Sequence, residues 1–312
     1  MRVVFMGTPD FATGTLKALL ESKHEVAAVY SQPDKPRGRG KEMQFTPVKE
    51  VAAAAQVPVY QPVKVKDPEV IQQLKEICPD VIVVVAFGQI IPAEILRLPK
   101  FGCVNVHASL LPKYRGAAPI QWAVINGEKK SGVTTMKMDT GLDTGDMLLK
   151  KELELAFYET GGSLFDKLSA VGAELLLETL DKLEKGEVVP VSQPKESPTA
   201  YAAMLTKKTG NIDWNKGAVE IERLIRGLNP WPSAYTHLGG KTLKIWKASV
   251  KDSGKYETET PGTITEVTKQ KIGVQTGDGL LYIEELQLEG KKRMPADAFL
   301  RGFELKHGMQ LG

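Results

Sequence analysis

Cysteine is scarce in this chain, and its scarcity removes whole classes of chemistry. Only Cys78 and Cys103 occur among 312 residues. They form no CxxC pair and no metal-ligand spacing, so neither a disulfide framework nor a zinc site is indicated, and each reads as a buried small hydrophobe. No uninterrupted apolar stretch approaches the roughly 20 residues that a bilayer crossing requires. The opening "MRVVFMGTPDF" is a strand broken too soon to be a signal peptide, so a cytoplasmic protein without a membrane partner is expected. Gly7-Thr8-Pro9 supplies one glycine where a dinucleotide fingerprint wants three, which disfavours a nicotinamide cofactor. No internal repeat or low-complexity tract is present.

What remains is an ordinary globular composition, 42% hydrophobic and 25% charged, long enough for two cores. The formal charge is +3, and it is unevenly placed. From Lys207 onward there are 17 Lys+Arg against 13 Asp+Glu, leaving 24 against 25 before it. A mildly basic tail on a neutral body hints at an anionic partner.

The first half alternates apolar strands ("RVVFMG", "EVAAVY", "DVIVVVAFG") with helical patterns ("FATGTLKALLES", "TPVKEVAAAAQ", "DPEVIQQLKEI"). That rhythm predicts a Rossmann-like α/β domain, a mostly parallel sheet with helices on both faces. A long amphipathic helix, with Leu164, Leu168, Leu175 and Leu176 on its apolar side, closes it. The stretch 190–206 is rich in Pro, Ser, Thr and Lys without periodicity and reads as a linker. Short alternating segments with Gly-rich turns follow, predicting a smaller C-terminal OB-like β-barrel capped by "PADAFLRGF". The expected domains are therefore 1–206 and 207–312.

Within the first half, "VNVHASLLPKYRG" poses a problem. Side chains alternate along a strand, so Val104 and Val106 share one face while Asn105 and His107 share the other. A buried amide and imidazole need partners or a purpose. In parallel α/β sheets ligands bind beyond the carboxyl ends of the strands, where His107 lies. A second strand, Val133–Met138, leads into a glycine-punctuated loop with Asp139, Asp143 and Asp146. If the two strand ends are neighbours, one carboxylate reaches His107, and Asn, His and Asp together make an acyl-transfer site. The amide donates to a developing oxyanion, the imidazole does the same or moves protons, and the carboxylate fixes the imidazole. The plainer alternatives are a hydrogen-bonded histidine, turn-forming aspartates, or a cation site.

The Asn-x-His with Ser-Leu-Leu-Pro, followed at a distance by the Asp-x-Gly-Asp turn, resembles the signature of the folate-dependent formyltransferases. The resemblance implies that Asn105, His107 and Asp143 are catalytic and that Ser109, Leu110, Leu111 and Pro112 contact folate. It implies 10-formyltetrahydrofolate as formyl donor and no metal. "MGTPDFA", "SQPDKPRGRGKEMQFTPVK" and "IRGLNPWPSAYT" are similar to the members that formylate methionine esterified to initiator tRNA. A C-terminal domain, which glycinamide-ribonucleotide formyltransferases lack, points the same way.

The loop Asp34–Pro47 gathers basic residues among glycines and prolines, the composition of a nucleic-acid clamp as well as of a solvated loop. By resemblance it enters the acceptor end of tRNA, with Arg37, Arg39 and Lys41 as contacts. Lys207, Lys208, Lys241, Lys244, Lys247 and Lys291–Arg293 are candidates for a second basic surface. Trp214, Trp231 and Trp246 read as core or interface residues. Nothing demands more than a monomer. The rival readings are a formyltetrahydrofolate hydrolase, a sugar-nucleotide formyltransferase, or a non-catalytic RNA-binding protein.

Overall fold

A computed structural model describes residues 1–37, 42–251 and 259–312. Its first compact unit comprises Met1–Pro119, Lys130–Glu154 and Phe165–Ala202. The second comprises Ile120–Lys129, Leu155–Leu164 and Ala203–Gly312.

The strands of the first half are β1 (Arg2–Gly7), β2 (Glu25–Tyr30), β3 (Lys35–Arg37), β4 (Glu42–Gln44), β5 (Val59–Tyr60), β6 (Val81–Val85), β7 (Cys103–His107), β8 (Lys130–Lys137) and β9 (Met147–Glu154). The helices are α1 (Asp10–Leu20), α2 (Pro47–Ala54), α3 (Pro68–Ile77), α4 (Ala93–Leu96), α5 (Pro119–Ile125) and α6 (Gly161–Lys185). Seven strands form one sheet in the order β5-β2-β1-β6-β7-β8-β9. The five from β5 to β7 run parallel, while β8 and β9 are antiparallel additions. β3 and β4 make a separate hairpin. The parallel strands are Val/Ile-rich because helices cover both faces and no solvent side needs polar residues. β6, for example, is buried at every position.

Parity sorts the coverings. Val4, Met6, Ile82, Val84 and Cys103 pack with Ile71 and Leu74 of α3 and Ile95 and Leu96 of α4. On the other face α1 meets α6 through Phe11 and Phe165, ring centroids 5.3 Å apart. Along α6 the positions Leu168, Gly172, Leu175, Leu176 and Thr179 form a helical stripe, with all four leucine and threonine side chains among them buried. A Cβ on Gly172 would lie 3.0 Å from Val106 and 3.8 Å from Val133, which puts that stripe against β7 and β8. Two short helices, α4 and α5, carry too little periodicity for the sequence to have announced them.

The second half holds α7 (Ala218–Gly227), β10 (Ala234–Leu238), β11 (Lys241–Val250), β12 (Ile264–Val267), β13 (Ile272–Gln275), β14 (Leu280–Leu288), β15 (Met294–Pro295) and α8 (Ala296–Gly302). The antiparallel sheet runs β10-β11-β14-β13-β12, with β15 on β14. Its two edges are joined by the segment 308–312. Leu311 N–H donates to Gly262 O and Ile264 N–H to Met309 O beside β12, while Gly312 N–H donates to His237 O on β10. Those bonds link the two edge strands of the sheet through one segment, the closure a barrel requires. Ile225, Ile245, Ile264, Val274, Ile283 and Phe299 belong to its core. Among the described residues no helix is long and apolar enough to cross a membrane.

The two cysteines part company. Cys103 is buried, but Cys78 is exposed because it caps α3 in the left-handed conformation, φ 54°. The tryptophans divide as well. Trp214 is buried with its indole N–H on Thr236, whereas Trp231 is 58% exposed, contrary to the core reading.

Candidate active site

The site grows from β7, which the parallel partner β6 and the antiparallel partner β8 hold in register. Asn105 lies opposite Met136 and His107 opposite Thr134, while Thr134 lies opposite Lys150 on β9. Directly opposed residues share a face, so His107, Thr134 and Lys150 form one row across three strands. That row grips the turn after β7. The Thr134 hydroxyl donates to Ser109 O (2.7 Å) and accepts from Leu111 N–H (3.1 Å). Lys150 Nζ donates to Leu111 O, and the Ser109 hydroxyl donates to Lys113 O at 2.7 Å. Ser109 and Leu111 are buried, so their side chains brace the turn, and Leu110 and Pro112 are its more accessible members.

His107 is buried, with Nε2 3.0 Å from Tyr114 O. A carbonyl only accepts, which puts a hydrogen on Nε2. Nδ1 faces Asp143 Oδ1 at 3.8 Å. Of the three loop aspartates only Asp143 meets the imidazole. Asp139 accepts from Gly141 N–H and the Thr144 hydroxyl as a turn former does, and Asp146 accepts from Ser192. The other carboxylate oxygen of Asp143 accepts from Gly116 N–H at 2.9 Å. Asn105 Oδ1 is buried with no partner, an unspent polar group beside the pair.

The backbone bends hard to make these approaches. Tyr114 (φ 56°) and Asp143 (φ 57°) both adopt the left-handed region, which for a bulky residue such as tyrosine is an outlier that surrounding bonds must enforce. Gly145 is obligatory, since a Cβ there would sit 1.9 Å from Lys137 O.

Those enforcing bonds come from the stretch expected to be a linker. Met147 and Val191 exchange backbone hydrogen bonds. Gln193 Nε2 donates to Asp143 O (2.9 Å) and Gly145 O (2.7 Å). Ser197 donates to Pro112 O, and Thr199 accepts from Tyr114 N–H at 2.7 Å. Ala202 pairs with Arg115 and with Ala117. The residues 191–202 are thus a strap across the turn and the loop, and their irregular composition is what a segment without its own periodic partner requires. No sequence pattern pointed to Gln193 or Arg115, because their partners, each other and backbone carbonyls, are distant in the chain.

The residues expected to meet nucleic acid are more scattered. Arg37 ends β3, and its side chain, like Arg39 and Lys41 in full, lies outside the described residues. At the base of that hairpin Lys49 pairs with Asp34 at 2.5 Å, and Phe45 lies 51% exposed. Lys207 and Lys208 are exposed on a 3-10 turn, Lys207–Gly210. On the barrel Lys247 is spent on Glu284 (3.2 Å) and Arg293 on Glu285 (2.6 Å). Lys244 and Arg293 lie near the Trp246 ring. Among the described residues no three metal-ligating side chains converge.

A family model described as formyl transferase matches residues 1–180, and one described as formyl transferase, C-terminal domain, matches 204–304. The chain is 59% identical to the methionyl-tRNA formyltransferase of Agathobacter rectalis over 99% of its length and 98% of the relative's. It is 50% identical to that of Geobacter sulfurreducens over its whole length and 97% of the relative's. Among solved structures, WlaRD, a sugar 3N-formyl transferase solved with dTDP and 5-N-formyl-THF, overlays at a TM-score of 0.68 with 18% identity, covering 94% of this chain and 99% of that one. HypX from Aquifex aeolicus in complex with tetrahydrofolic acid overlays at 0.60 with 17% identity, covering 99% of this chain and 50% of that one. The last two likenesses speak for fold alone, whereas full-length identity of one half or more places the chain itself: it belongs to the methionyl-tRNA formyltransferase family.

Proposed function

We propose that this chain moves the formyl group of 10-formyltetrahydrofolate onto the α-amine of methionine carried by initiator tRNA, with Asn105, His107 and Asp143 as its catalytic groups. The observation that carries the residue assignment is one polar strand face. There an imidazole has Nε2 pinned by a carbonyl and Nδ1 turned to a carboxylate at 3.8 Å, and the same face carries an amide whose buried Oδ1 has no partner.

The chemistry balances on these groups. A free α-amine titrates near pH 8, so much of it is neutral without a strong base. Its lone pair forms the new C–N bond at the formyl carbon, and the carbonyl electrons move to oxygen. The Asn105 amide donates to that oxyanion. The proton leaving the amine passes to His107 Nδ1, where Asp143 offsets the imidazolium charge. Collapse breaks the bond to N10 of tetrahydrofolate, and the same proton goes to that leaving nitrogen. The products are formyl-methionyl-tRNA and tetrahydrofolate.

The turn Ser109–Pro112 is proposed to hold the folate, through Leu110, Pro112 and its backbone. Arg37, Arg39, Lys41 and Lys207 are proposed to contact tRNA, and 207–312 to serve as an RNA-binding domain of a cytoplasmic monomer. Phosphate contacts from such residues add affinity without reading sequence. The test is incubation with 10-formyltetrahydrofolate and charged initiator tRNA, scored for the formyl-methionine ester. Formate and tetrahydrofolate at equal rates with and without tRNA would mark a hydrolase and overturn the reading. Asp143→Asn is expected to be badly impaired, with Asp139→Asn and Asp146→Asn milder.

A further inference from the structure

We infer that Arg115 is a positioning residue for Asp143, acting through Gln193; the inference rests on the proposed role of Asp143. Arg115 is only 8% exposed, and among the described residues its guanidinium meets no carboxylate. A buried charge without a counter-ion is costly and requires another use. Its donors go to three successive residues of the strap: Nε to Gln193 Oε1 (3.0 Å), Nη2 to Pro194 O (2.7 Å) and Nη1 to Lys195 O (3.2 Å).

The logic of the relay is one of donors and acceptors. Guanidinium only donates, so Gln193 must turn its oxygen toward Arg115. Its NH2 then has to face the loop, where both hydrogens reach acceptors, Asp143 O at 2.9 Å and Gly145 O at 2.7 Å. The next residue along from Arg115 completes the grip, because Gly116 N–H holds the Asp143 carboxylate. The pair Arg115-Gly116 therefore fixes Asp143 twice, by its carbonyl and by its side chain. Gly116 has φ 127°, and a Cβ there would lie 2.6 Å from Ala202 O, so the peptide has little freedom to drift. Asp143 is left-handed and sits 3.8 Å from His107, a placement that needs external support.

The experiment is steady-state kinetics on full-length variants. Arg115→Met is expected to lower kcat about 10- to 100-fold, the effect of misplacing a catalytic group by roughly an ångström, with KM for charged tRNA little changed. Arg115→Lys, which keeps charge but loses the fork, should recover part of that loss. Gln193→Glu still accepts from Arg115 but cannot donate to the loop carbonyls, and it should fall as far as Gln193→Leu. In an Asp143→Asn background Arg115→Met should cause no further loss, because the group it positions is already gone. A full additional loss in that background, or wild-type kcat in Arg115→Met, overturns the inference. Should Arg115→Met not fold, half-buried Gln193→Leu decides by the same double-variant comparison. Wild-type kcat in Asp143→Asn alone would instead overturn the catalytic role of Asp143.

Discussion

The two faces of β7, β8 and β9 are built from the same residues in alternation yet do opposite work. One face, with Val106 and Val133, lies under a single continuous helix. The other carries Asn105, His107 and Thr134 under a turn, a loop and a strap. An apolar face needs only a periodic apolar cover, which α6 provides. A polar face needs a cover that supplies hydrogen bonds at fixed places, and irregular backbone does that better than a helix whose own groups are already paired. Stability and chemistry can thus be altered separately on adjacent residues.

The largest effect is expected on the helix side. Leu176 is fully buried on α6, and Leu176→Ala should cost about 3–5 kcal/mol of unfolding free energy through lost contact and a cavity. Denaturant titration measures it, and kcat/KM of the folded fraction should stay at the wild-type value. A drop in kcat to match would mean that the two faces are coupled.

Asn105→Ala should invert that result. Removing one oxyanion donor costs about 10²–10³ in rate, or ~2.7–4 kcal/mol of barrier. Because Asn105 Oδ1 is buried with no partner, deleting it removes an unsatisfied acceptor rather than breaking a bond, so the unfolding midpoint should change little. Near wild-type turnover under saturating substrates would remove Asn105 from the mechanism.

How much of this was legible beforehand follows from the same contrast. Period-2 alternation through Val104–His107 disclosed both faces of β7, and the leucines of α6 disclosed its cover. The mostly parallel sheet and the antiparallel second domain were legible for the same reason. The meeting of His107 with a loop aspartate was expected on the condition that the two strand ends are neighbours. β7 and β8 are instead antiparallel, with Val104 opposite Lys137 and His107 opposite Thr134, and it is the loop after β8 that brings Asp143 back to His107. The choice of Asp143 over Asp139 and Asp146 came from resemblance; the residues alone left it open. What stayed hidden was non-periodic: the strap 191–202 read as a linker because backbone-to-backbone and side-chain-to-carbonyl bonds leave no trace in residue spacing. Cys78 was misread because a helix cap in the left-handed region exposes a residue that composition alone assigns to the core.

Adjacent threonines sharpen the comparison at a smaller scale. Thr134 and Thr135 are both fully buried and point to opposite faces. Thr135 meets Thr179 of α6 at 2.8 Å, whereas Thr134 holds the Ser109–Leu111 turn. Each Thr→Val change should cost about 1–3 kcal/mol for the buried groups left unpaired. Only Thr134→Val should also raise KM for the formyl donor. Equal kinetics in the two variants would show that the turn needs no support from this face.

The smallest expected effect tests where along β7 the polar face begins. Cys103 has the same parity as Asn105 and His107, but it lies at the strand's other end and packs with Ile95 and Leu96. Burial pushes its thiol up to about 12, and the thiolate is the reactive form, so at neutral pH it should be inert in the folded chain. Cys78 is exposed and should react at once. A thiol reagent should therefore count one fast group in the native protein and two after denaturation. In Cys78→Ser the remaining thiol should react only as fast as the sheet opens, with formyl transfer unaffected by the substitution. Fast labelling of Cys103 in that variant would mean solvent reaches the whole of this face. The core would then not extend to the start of β7, and the division of one strand face into a buried apolar end and a polar end would be wrong.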